Sequence, residues 1–146
     1  MQLKQQFQFL SQLMGNNDIK LNPRVIIIQK LYSYNLNKDA EITFPKHKYK
    51  KFIKDVVLGT IERKDLIEEF MEQKLKNDIN RNKTEIILKL MIMAAIYEFM
   101  FMHKVPNNVV ISEYIKISDF FLETSKKSFL NAILDKVSKI SRINDA

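Results

Sequence analysis

Seventeen residues in the second half of the chain, Ile86 to Met102, read IILKLMIMAAIYEFMFM and carry only two charges, Lys89 and Glu98. A helix that is apolar on every face has no side to turn toward water, so it must be buried. A membrane span needs about 20 consecutive apolar residues with few charges. This run is shorter and is interrupted near both ends, which makes it the central helix of a soluble bundle. The rest of the chain is expected to wrap it.

A length of 146 residues fits one domain with a real core. Two Gly and three Pro leave little material for tight turns, which favours an all-α fold over sandwiches and barrels. The chain has no Cys, so disulfides, thiol catalysis and Cys-based zinc sites are excluded. The first residues, MQLKQQFQFLSQLM, are too rich in Gln for the apolar core of a signal peptide, and a cytoplasmic protein is expected.

The net charge of +7 is unevenly spread. Residues 22–64 hold ten Lys or Arg against four Asp or Glu, whereas residues 65–104 hold six against seven. A local excess points to a polyanion or an acidic partner. Lys outnumbers Arg by twenty to four, so a compositional bias contributes to the count.

In chain order, Leu3, Phe7, Leu10 and Met14 form one apolar stripe, a short amphipathic helix that Gly15 ends. Residues 1–21 are read as an extension to a helical domain at 22–146. Asn22 and Pro23 signal a helix start, with Asn as cap and Pro at the first helical position. That helix runs to about Asn37, with Val25, Ile28, Tyr32 and Leu36 on one face.

After Pro45 comes the densest basic segment, KHKYKK at 46–51. Helical geometry would set Lys46, Lys50 and Lys54 on one row and turn Tyr49, Phe52, Ile53, Val56 and Val57 inward. Like charges at that spacing cost an isolated helix about 0.2–0.5 kcal/mol per pair. The row therefore reads either as an anion-binding surface or as a solvated face. Gly59 signals close helix packing or a break. In the next helix Leu66, Phe70 and Leu75 are expected inside and Glu68, Glu69 and Glu72 outside. After the central helix, Pro106 starts a helix with Val110, Tyr114, Ile117 and Phe121 inward. Thr124 or Ser125 then caps a last helix whose apolar face is Phe129, Leu130, Ile133, Leu134, Val137 and Ile140.

No catalytic constellation stands out. There is no glycine-rich phosphate loop, His47 has no metal-ligating neighbour at ligand spacing, and His103 stands beside Lys104 at a helix end. The residues alone describe a basic helical domain that binds rather than reacts, with no cofactor and no metal.

Three segments carry a resemblance: YEF at 97–99, VPNNVVISEYIKIS at 105–118 and SFLNAILDKV at 128–137. In type and spacing they resemble the NusB family of bacterial transcription antitermination factors. VIIIQKLYSYNL at 25–36 is similar to the family's first helix at Gln29, Leu31 and Tyr32. The resemblance implies an all-α bundle of two small subdomains around the helix at about 86–102. It also implies binding to single-stranded boxA RNA of ribosomal RNA leaders, together with ribosomal protein NusE, within an antitermination complex carried by RNA polymerase. On matched positions it implies RNA contacts by Gln29, Tyr32, Lys126, Lys127, Phe129 and Asn131. Phe129 also reads as a core residue, and Asn131 as a tie to a neighbouring helix.

The chain departs from the family pattern in several places. Arg24 is the only Arg where the family has an arginine-rich run, Ala132 replaces a Gly, and Met93 stands where a basic residue is common. Lys46, Lys50, Lys51 and Lys54 are the candidates to replace the lost charge, and Arg24 is kept among the RNA contacts. The alternative is a protein-interaction module of the same fold that keeps the NusE contact with weakened RNA binding. Some ribosomal RNA cytosine methyltransferases have a similar N-terminal part, but with the last residue at Ala146 no room is expected for a cofactor-binding domain, so a non-enzyme is expected.

Overall fold

The structure, a computed structural model, describes residues 22–79 and 84–141. The expected helix at Leu3 to Met14 lies outside them. Among the described residues every regular element is helical: α1 (Pro23–Leu36), α2 (Lys50–Glu62), α3 (Lys64–Lys74), α4 (Ile86–Phe101), α5 (Asn107–Phe121) and α6 (Lys127–Ser141), with a 3-10 turn at Thr124–Lys126. The expected all-α class holds.

The central helix is α4. It packs against each of the other five helices, and its residues from Ile87 to Phe99 are buried save Lys89. No described helix is long and apolar enough to cross a membrane. Its two charges are both partnered: the half-buried Lys89 donates from Nζ to Glu68 Oε1 at 3.3 Å, and Glu98 lies in the buried network described below. Helices α1 to α3 pack on α4 as one group and α5 and α6 as another, with α1 also touching α5.

The start of α1 follows the expected logic. Asn22 Oδ1 accepts from the backbone N–H of Arg24 at 2.9 Å and of Val25 at 3.4 Å, satisfying two donors that the helix itself leaves open. Such a cap contributes about 1 kcal/mol. Val25 to Ile28 and Leu31 are buried, but Leu36, placed on the same face as Val25 and Ile28, is 61% exposed.

Two other phases differ from expectation. Helix α2 begins at Lys50 rather than after Pro45, so Lys46 lies in the preceding segment and the row of three is broken. The turn before α2 is held by Tyr49 N–H donating to His47 Nδ1 at 2.8 Å, and Tyr49, expected inside, is 49% exposed. In α3 the buried stripe is Ile67, Met71 and Leu75, a run of strict fours, which turns Leu66 outward at 50% exposure. Thr124 and Ser125, expected to cap the last helix, lie in the 3-10 turn that precedes α6.

Gly59 lies inside α2, and its role is close packing. A Cβ at this position would fall within the Tyr97 ring of α4. Gly59→Ala should therefore destabilise the protein despite alanine's helix preference of about 1 kcal/mol, because overpacking typically costs about 1–3 kcal/mol. In a Tyr97→Ala background the same change should become stabilising. Urea unfolding of the four proteins in the cycle measures the reversal, and a stabilising Gly59→Ala in the wild-type background would refute the contact.

Candidate nucleic-acid interface

The sequence-derived contacts divide into a core residue and two surface regions. Arg24 is the core residue and requires a correction. It was expected to reach RNA, yet it is 7% exposed, with Nε donating to Glu98 Oε2 at 3.0 Å and Nη2 to Oε1 at 2.6 Å. Tyr114 Oη donates to the same Oε2 at 2.5 Å, and the Arg24 guanidinium lies over the rings of Phe52 at 4.9 Å and Tyr114 at 5.6 Å. A buried carboxylate needs such partners to remain charged inside a protein. The guanidinium is committed to Glu98 and ties α1 to the end of α4.

Burial pushes Arg24 toward losing its proton, but the hydrogen bond and charge of Glu98 outweigh it and hold the group charged. Burial, reinforced by the Glu98 charge, raises the Tyr114 phenol well above its ordinary 10. Above pH 10 the unfolded chain releases this proton while the folded chain keeps it, so the folded state binds more protons and stability falls. One such group gives a slope of about 1.4 kcal/mol per pH unit, from about pH 10 until the folded group titrates. Urea unfolding between pH 8 and pH 11 should show this loss, with a flatter profile in Tyr114→Phe.

The first surface region surrounds the start of α2. Lys46, Lys50, Lys51 and Lys54 are all exposed, and among the described residues none of the four forms an ion pair. Tyr49 stands among them, with Lys48 Nζ 5.4 Å from its ring centroid. Sequence reasoning missed this ring by extending the α2 periodicity backward through it. Its place two residues after His47, in a segment with Pro45 close upstream, was the available signal. Unneutralised cations around an exposed aromatic ring suit single-stranded nucleic acid, where phosphates meet the charges and an unpaired base can stack.

The second region belongs to the start of α6. Phe129, on the expected apolar face, is 38% exposed, and Asn131 is also exposed. Lys126 pairs with Glu85 at 3.3 Å and Lys127 with Asp119 at 2.7 Å, so both carry less free charge than the α2 lysines. Gln29 and Tyr32 are half-buried on α1, with Tyr32 packed against the core.

The fold does not join the two regions. Phe52 of α2 meets Arg24 at the Glu98 end of α4, whereas Lys126 meets Glu85 just before its first residue. Glu98 lies thirteen positions after Glu85 along α4, a rise of about 20 Å. Among the described residues no group of three or more His, Asp or Glu is arranged to hold a metal ion.

Comparison with known proteins bears on this arrangement. The chain is 26% identical over 107 residues to the transcription antitermination protein NusB of Mesorhizobium japonicum, covering 73% of this chain and 69% of that protein. To the NusB proteins of Bacillus thuringiensis and Bacillus cereus it is 30% identical over 87 residues, covering 60% of this chain and 66% of each relative. The chain thus spans just under two thirds of the length of these Bacillus relatives. No solved structure matches it. A sequence model of the NusB family matches residues 5–139, nearly the whole length, and the chain therefore belongs to the NusB family.

Proposed function

We propose that this protein is an RNA-binding transcription antitermination factor that engages boxA RNA of ribosomal RNA leaders together with NusE, in a complex carried by RNA polymerase. The relatives named as transcription antitermination proteins support the general role. The observation that carries the RNA contact is the set of lysines 46, 50, 51 and 54, without ion pairs among the described residues, around the exposed Tyr49 ring. Phe129 and Asn131 supply a second exposed aromatic and amide pair.

One alternative has an observation of its own. With Arg24 committed to Glu98, and Lys126 and Lys127 in ion pairs, the positions matched from the family offer little free charge. This favours a module that keeps the NusE contact and binds RNA weakly by itself. Fluorescence anisotropy with boxA RNA and a scrambled control, with and without NusE, at two salt concentrations, separates the readings. A preference for boxA that strengthens with NusE is the expected result. Equal, weak and salt-sensitive binding to both RNAs, unchanged by NusE, would overturn the antitermination reading.

A further inference from the structure

A cleft at the other end of α1, between α1, α2, α3 and the start of α4, occupies about 480 Å³ counted out to open solvent. Its apolar lining comes from Leu31, Ile61, Leu90 and Met93. On α1 it uses Leu31, Tyr34 and Asn35, which helical geometry sets roughly 140° from the face holding Gln29 and Tyr32. It is therefore distinct from the RNA contacts argued above.

Two features make this more than an uncovered apolar face. Thr60 lines the cleft, is 2% exposed, and its Oγ1 has no hydrogen-bond partner among the described residues. A buried hydroxyl left unpaired is costly, so an incoming donor or acceptor would be favoured there. Lys38, Lys64 and Lys89 also line the cleft against one carboxylate, Glu68, which Lys89 approaches at 3.3 Å and Lys64 at 4.0 Å. The cations outnumber the anion three to one around an apolar floor.

We propose that this cleft docks an acidic segment of a partner protein, which lays one apolar side chain on Leu31, Ile61, Leu90 and Met93, brings a backbone polar group to Thr60 Oγ1 and sets flanking carboxylates against Lys38 and Lys64. The charge complementarity selects an acidic partner. The position of the charges selects a peptide over a free small anion. The side chains of Lys64 and Lys89 remain 43% and 21% exposed, so no fully buried cation is present to desolvate and hold an isolated carboxylate. An extended segment spans the apolar floor and the partly solvated cations together.

The probe is a fluorescein-labelled peptide, Asp-Glu-Leu-Glu-Asp, tested on the full chain against Ser-Ser-Leu-Ser-Ser and Asp-Glu-Ser-Glu-Asp. The acidic leucine peptide should bind at least tenfold more tightly than either control. Lys38→Glu combined with Lys64→Glu should weaken it at least tenfold while leaving boxA binding unchanged, and Lys38→Glu alone is the milder variant should the pair disturb folding. Methyl NMR signals of Leu31, Ile61 and Met93 should shift on binding. Equal binding of the three peptides, unaltered affinity in the variants, or shifts confined to the start of α2 would overturn the proposal. Full saturation of the same methyl shifts by N-acetyl-leucine would assign the cleft to a small molecule, and displacement of the peptide by boxA RNA would assign it to nucleic acid; either overturns it.

Discussion

Arg24→Ala should lower the unfolding free energy by about 3–5 kcal/mol, the usual cost of removing one partner from a buried ion pair. Most of that loss comes from what remains. Glu98 is fully buried and would lose two charge-assisted hydrogen bonds from Arg24, keeping that from the Tyr114 hydroxyl. Removing the whole network at once should be far milder. A triple variant, Arg24→Met with Glu98→Leu and Tyr114→Phe, removes both charges and the phenol together and should lie within about 1–2 kcal/mol of the wild type. Urea unfolding of the single and triple variants measures both. A cost below about 1 kcal/mol for Arg24→Ala would mean that water reaches Glu98, contrary to the packing around it. Any effect of Arg24→Ala on RNA binding should vanish in the triple variant, because Arg24 acts through the fold.

The same residues explain how far the sequence could be read. An apolar run with a single acidic residue near its end already calls for a buried cation, and Glu98 was that signal. Arg24 was read as the remnant of a basic surface because the resemblance concerned charge before the first helix and said nothing of depth. The α1 start and the α5 stripe were legible from a proline joined to a cap or to a spacing of threes and fours, and the central helix from being apolar on every face. The α3 phase was not. Leu66, Phe70 and Leu75 compete with Ile67, Met71 and Leu75 in the sequence, and the junction at Arg63 decides which stripe faces α4. A break of one residue between helices resets the phase, and composition does not record it.

The candidate interface was legible as residue types and not as an arrangement. Lys50 and Lys54 do share a helical row, but Lys46 does not, and Tyr49 joins the lysines from the position that was expected to face inward. Among the described residues, the lysines at the start of α2 form no ion pair, whereas Lys126 and Lys127, matched from the family, do. Lys126 and Lys127 hold the α6 start to Glu85 and Asp119, which costs them part of their value as phosphate contacts. The surface at the start of α2 carries exposed lysines without ion pairs among the described residues.

Replacing Lys46, Lys50, Lys51 and Lys54 together by Glu is therefore the change expected to affect RNA binding most. Each phosphate neutralised on a single strand contributes a slope of about −0.7 to the logarithmic dependence of affinity on salt, so losing four contacts should flatten that slope by about 3. The charge reversal adds repulsion, and affinity near 100 mM salt should fall on the order of a hundredfold or more. All four side chains are exposed, so the helix content and unfolding midpoint should change little. A Tyr49→Ala variant separates the two parts of the surface: it should weaken binding by about 1–3 kcal/mol through lost stacking while leaving the salt slope as it was. An unchanged boxA affinity in the fourfold variant would reduce the cluster to a solvated face. The RNA would then have to be held at Phe129 and Asn131, whose neighbouring lysines would first have to leave Glu85 and Asp119.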